Sequence, residues 1–189
     1  MNLSFAHNWT TEVLDRPPLV RPVRHFVYPR HVEEVERGAL EVMVRPHSVA
    51  GPQQAFLATC ALGFADPAAP TGVWSCPDPA WLCAVAGGYA YLIDTADPLR
   101  WEQVAYRPVL EVRPLVEQGL LLFAGHHSIT AWGIHGKAWE SARLSSEGVQ
   151  IVDVKGWRLT GLGWDMTSDR DLEFSLDLHT GAHTCMAVT

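Results

Sequence analysis

Residues 165–173 read DMTSDRDLE, which puts Asp165, Thr167, Asp169, Asp171 and Glu173 at alternate positions. Oxygen ligands spaced by two can wrap a hard cation such as calcium, so Asp165, Asp169 and Asp171 are candidate metal ligands. A complete EF-hand loop also wants Gly at its sixth position and Glu at its twelfth. Arg170 and Leu176 stand there instead. The competing reading is a solvated hairpin loop whose charges face water.

Nine histidines raise a second possibility. The densest group is His126 and His127, then His135, then His179 and His183 with Cys185. A zinc centre needs three or four N, S or O ligands converging on one point. Adjacent histidines on a strand point to opposite faces, and Gly181 is expected to turn the chain between His179 and His183. Dispersed loop histidines are the alternative. The aromatic set Trp74, Trp81, Tyr89, Tyr91, Trp101, Trp132, Trp139, Trp157 and Trp164 is the third candidate. Flat rings on an exposed face bind sugars or proteins, whereas rings on strands also fill the space between sheets. Trp132 and Trp164 lie next to glycines and polar loops and are the ones expected at the surface. With His126, His127 and His135 they form the candidate binding set.

Hydrolase and nucleotide motifs are missing. The chain has no Gly-x-Ser-x-Gly, no His-Glu-x-x-His, no phosphate loop and no dinucleotide fingerprint. No cofactor is expected. Net charge is −7, and the 14 Lys and Arg are scattered. Nucleic-acid binding draws most of its affinity from a basic patch, so nucleic acid is set aside as a partner. Apolar runs such as GLLLFAG are too short to span a bilayer, so no membrane partner is expected. The first residues, MNLSFAHNWTTEVLDRPP, lack a basic start and an apolar core, and the expected location is cytoplasmic. Cys60, Cys76, Cys83 and Cys185 are widely spaced and read as small core residues.

These residues need elements to carry them. In a chain of 189 residues with 48% hydrophobic content, one packed domain is expected. Residues 1–54 are rich in proline and read as an irregular segment whose strands keep to sheet edges. A charged stretch, RHVEEVERG, could form a helical turn or two, and PHSVAGPQQ reads as a loop. Beyond residue 55, short apolar runs alternate with Gly, Pro and Asp, as in WLCAVAGGYAYLID, LLLFAG, SITAW, VQIVDV, WRLTGLGW and LEFSLDL. Such punctuation predicts strands and turns, with no helical stripe.

A shift of 38 residues lays Ala86-Gly87 on Ala124-Gly125 and Trp101-Glu102 on Trp139-Glu140. A further 45 residues lays His135-Gly136 on Thr180-Gly181. A fainter copy, FADPAAPTGVW, is expected to close a unit with Thr71-Gly72-Val73-Trp74. AWGIHGKAWE, LIDTADPLRWE and LDLHTGAHT resemble the strand–turn–strand segment of quinoprotein-type propeller repeats. The resemblance implies a style of sheet at a period of 38–45 residues over 55–189. It carries over no cofactor site, because quinone-bearing members need about seven or eight blades and this length holds about four.

The expected fold is therefore all-β, a propeller-like or sandwich-like arrangement of short antiparallel sheets with little helix. The leading functional expectation is a non-enzymatic β scaffold that binds a protein partner or itself, a description that a bacterial accessory protein would fit. Two alternatives stay open. One is a metal-assisted hydrolase or other small-molecule enzyme using the loop His and Asp, and the other is a carbohydrate-binding module using exposed Trp.

Overall fold

The computed structural model describes residues 4–29, 38–47, 55–63 and 69–185. Among them the chain is all-β, with sixteen strands and no helix, arranged as four four-stranded sheets. No helix among the described residues is long and apolar enough to cross a membrane. The charged stretch at 30–37, the loop at 48–54 and residues 64–68 of the faint fourth copy lie outside the described residues. The chain divides into two compact units, Ser4–Pro108 and Val109–Thr189.

The first unit begins with β1 (Trp9–Leu14), β2 (His25–Tyr28), β3 (Ala39–Pro46) and β4 (Phe56–Ala61), in the sheet order β1-β3-β4-β2. β1 pairs antiparallel with β3 and β3 with β4, but β2 pairs parallel to β4, with Tyr28 opposite Cys60. This one parallel pair makes the sheet mixed, for a topological reason. β1 and β2 run the same way on opposite edges, so residues 15–24 must carry the chain back along the sheet and across it. They do so without regular structure, through Pro17, Pro18 and Pro22. β3 takes a central place, and its proline, Pro46, sits at the strand's last residue.

The second sheet is a meander of β5 (Gly72–Ser75), β6 (Trp81–Ala86), β7 (Tyr89–Asp94) and β8 (Trp101–Gln103). Thr71-Gly72-Val73-Trp74 therefore opens a sheet where it was expected to close one. The two sheets pack face to face, sandwich-like, over one core. Leu40, Val42 and Val44 of β3, Phe56, Ala58 and Cys60 of β4, and Leu82, Ala84 and Ala86 of β6 meet there. The spacing of two is the strand period, which sends alternate side chains to one face. Cys60, Cys76 and Cys83 are buried free thiols, and burial pushes the pKa of each upward. Inert core residues result.

The second unit repeats the two-sheet plan. β9 (Glu111–Leu115), β10 (Leu120–Ala124), β11 (Ile129–Gly133) and β12 (Gly136–Glu140) form one meander. β13 (Val149–Lys155), β14 (Arg158–Asp165), β15 (Arg170–Asp177) and β16 (His183–Cys185) form the other. Leu120, Leu122, Ile129 and Trp139 pack against Ile151, Leu159, Phe174 and Leu176. Gly161 and Gly163 of β14 make room for close neighbours. A Cβ on Gly161 would stand 2.3 Å from the Phe174 ring, and one on Gly163 2.2 Å from the Leu144 carbonyl oxygen.

Trp101 and Trp139 both lie on the fourth strand, in chain order, of their own sheets. The turns before those fourth strands use two solutions. Asp94 and Asp177 accept backbone N–H groups two residues on, from Ala96 at 2.8 Å and His179 at 2.7 Å. The third sheet has Gly133 in the corresponding place, and its turn is only Ile134-His135.

Candidate functional site

The residues singled out from sequence fall into two places in the second unit. Trp132 and His135 belong to the β11–β12 hairpin. His135 is exposed at its tip. Trp132 is only 7% exposed, which corrects the expectation that it would face water. The indole lies against its own hairpin, its Cζ2 at van der Waals distance, 3.9 Å, from where a Cβ of Gly136 would be.

The other place is built by the segment 141–148, which links the third sheet to the fourth. Leu144 and Ser145 donate their N–H groups to the His127 carbonyl, and Gly148 donates to that of His126. The His127 Nδ1 lies 3.2 Å from the Ser145 carbonyl oxygen, and the two imidazoles are 6.1 Å apart. On its other side the segment holds the β14–β15 turn: Ser146 N–H donates to the Trp164 carbonyl at 2.7 Å, and Met166 N–H to Ser146 Oγ at 3.2 Å. His126 and His127 are thus brought near Trp164 and Asp165, beside a shallow cleft of about 210 Å³.

That grouping is occupied with its own turn geometry. Asp165 Oδ2 accepts both the N–H and the hydroxyl of Ser168, at 2.9 and 2.7 Å. These bonds, the side-chain one foremost, hold the Asp165 pKa below the usual carboxylate range. Half-buried Trp164 donates its indole N–H to Asp169 Oδ1 at 3.3 Å, and Asp169 adopts a φ of 52°. Asp171 is exposed on β15, directly across from Trp164. No three His, Cys, Asp or Glu side chains among the described residues lie together as a metal would require.

A larger feature lies at the opposite end of β14. A groove of about 400 Å³ is lined by Lys155, Trp157, Arg158, Asp177, His183 and Thr184, among others. The β13–β14 hairpin turns through Gly156 and Trp157, with Gly156 at φ 58°. Register aligns Lys155, Arg158 and Asp177 side by side on three neighbouring strands, so their side chains share a face. Trp157 is 44% exposed, and its ring is stacked on His179 with centroids 3.8 Å apart and planes 17° apart. Leu178 N–H donates to the Trp157 carbonyl at 2.9 Å, and Gln118 donates to that of Gly156 at 2.8 Å, so the tip is anchored from below. Trp157 and His179 were in the aromatic and histidine sets without being selected. The missed clue was KGWR itself, because a residue at the apex of a two-residue hairpin has no strand face to hide behind.

In the first unit, a chain of polar groups runs inward from half-buried His25. Thr59 donates its hydroxyl to Glu41 Oε2 at 2.5 Å, and His25 Nε2 lies 2.8 Å from the same hydroxyl oxygen. Glu41 is 5% and Thr59 3% exposed. With the Thr59 proton committed to the carboxylate, His25 is the donor in its contact. The hydroxyl is neither activated nor reachable, so this is a buried network, not a nucleophile.

No family model matches the chain, and no curated protein matches it.

Proposed function

We propose that this protein is a non-enzymatic β scaffold that works by binding other protein surfaces, a second copy of itself being the simplest partner. The observation that carries the reading is the crossover at residues 15–24. Leu19, Val20 and Val23 there are 105%, 85% and 104% exposed, as open to water as side chains become. Three aliphatic side chains within five residues, on a segment stiffened by prolines, cost little entropy to dock. Covering them is worth about 5–8 kcal/mol before ordering costs. Arg16 and Arg21 flank them on a chain whose net charge is −7, so another copy offers the complementary acidic surface. The inert thiols and the Glu41–Thr59–His25 chain accord with a scaffold rather than a catalyst.

The same reading takes the four four-stranded sheets as repeated blades of a small propeller-like body, at home in the cytoplasm. The test is sedimentation of the protein across a wide concentration range by analytical ultracentrifugation, beside the triple variant Leu19→Ser, Val20→Ser, Val23→Ser. The wild type is expected to self-associate with rising concentration. The variant should stay monomeric with an unchanged Tm, because these side chains bury nothing within the monomer. Monomers throughout for both proteins would overturn self-association.

A further inference from the structure

The groove at the end of the fourth sheet has features that a protein-docking role does not use. One of its lining side chains is a tryptophan fixed in place. His179 stacks against the Trp157 ring, and backbone bonds hold the turn beneath, so the exposed part of the indole is presented without loss of rotamer freedom on binding. Its rim has both kinds of hydrogen-bonding group. Asp177 uses Oδ1 to accept the His179 N–H and keeps capacity on its second oxygen. Thr184 is exposed and adds a hydroxyl.

The charges are arranged unevenly. Lys155 is paired with Asp153 at 3.1 Å. Arg158 stands directly across from Asp177 in the register, yet makes no ion pair among the described residues. A planar guanidinium beside an aromatic platform is thus left for an incoming anion, and its fork matches a carboxylate in bidentate fashion. A volume of about 400 Å³ falls within the range of small-molecule sites.

We propose that this groove binds an acidic saccharide. One sugar ring lies with its C–H face on Trp157, its carboxylate meets Arg158, and ring hydroxyls meet Asp177 and Thr184. The stacked ring supplies the sugar-facing surface, and Arg158 supplies the preference for a uronic acid over a neutral sugar. The site belongs to the second unit and is separate from the Leu19–Val23 crossover, so it stands or falls independently of self-association.

The experiment is isothermal titration calorimetry of the full chain with a galacturonic acid trisaccharide and, separately, the matching neutral galactose trisaccharide. The acidic sugar is expected to bind saturably and more tightly than the neutral one. Trp157→Ala should weaken both by about tenfold or more. Arg158→Gln should abolish the difference between them while leaving the neutral sugar's affinity as it was. Circular dichroism and Tm should match the wild type for both variants, since each side chain is exposed. No saturable binding of either sugar, equal affinity for the two, or binding that survives Trp157→Ala would each overturn the proposal.

Discussion

The two units solve one packing problem with different chemistry. Each sets one four-stranded sheet face to face with another, and each ties the pair together with side chains that reach a neighbouring sheet's backbone. In the first unit the donors are aromatic. Tyr28 OH donates to Pro98 O at 2.8 Å, Tyr91 OH to Ala61 O at 3.0 Å, and Trp9 Nε1 to Trp81 O at 3.2 Å. In the second unit a single aromatic does this: Trp139 Nε1 donates to Leu178 O at 2.7 Å, while Arg113 and Gln118 reach Ile151 O and Gly156 O from more exposed positions. The first unit also buries Glu41 and Thr59 and links them to half-buried His25. The second shows no such carboxylate chain among the described residues of its core and turns charged groups outward on the fourth sheet. Polar groups that are already paired and buried give rigidity, and polar groups left facing a groove give recognition.

If one aromatic carries the tie in the second unit and several share it in the first, their removal should have unequal effects. Trp139→Ala takes away a buried indole, its bond to Leu178 O and the surface against which Gly181 packs. A Cβ on Gly181 would stand 2.7 Å from that indole, so the fit is close. The expected loss is about 3–5 kcal/mol, read by urea denaturation. Tyr28→Phe removes only the hydroxyl and leaves the ring against Trp101, 5.4 Å between centroids. It should cost about 1–2 kcal/mol. Equal losses would refute the contrast.

Thr59→Val falls between them. It keeps the side-chain shape but strips the buried Glu41 carboxylate of its hydroxyl donor and His25 of its acceptor. An expected loss of about 2–3 kcal/mol follows from leaving a buried charged group without that partner. Adding Glu41→Gln should recover part of that loss, since a neutral amide is cheaper to bury than a carboxylate. A Thr59→Val variant as stable as the wild type would show that this chain contributes nothing to the first unit.

The legible parts of this fold were local. Alternating apolar runs bounded by Gly and Asp gave the strands of the second to fourth sheets, because strand period and turn chemistry are properties of adjacent residues. The Asp94 and Asp177 turns are of this kind. The sheet order β1-β3-β4-β2 was not legible, because a parallel crossover made by a proline-rich segment has no pattern of its own. Nor was the Glu41–Thr59–His25 chain, whose members lie 18 and 34 residues apart and meet only through sheet pairing. Within the site, the neighbourhood of glycine misled for Trp132, whose ring is buried although Gly133 follows it in the chain. Trp157 was missed, although its place at the apex of the KGWR hairpin marked it for exposure.

The smallest effect expected is one of pH, and it should separate the units again. Burial, then the nearby Arg21 charge, lowers the His25 pKa from its ordinary 6.5, with Glu41 opposing them. The fold therefore favours the neutral ring. Its contribution is complete above about 6.5 and is lost as pH falls through the lowered folded value, because the unfolded chain takes up the proton first. Amide protection factors, corrected for the intrinsic exchange rate at each pH, should fall in β2 and β4 more than in β13 to β16 as pH drops. His25→Asn should flatten that difference. Arg21→Gln should move the His25 midpoint upward, by NMR titration of its ring protons, since the like charge that disfavours protonation is gone. A midpoint that moves downward would mean that Arg21 acts on His25 through something other than its charge.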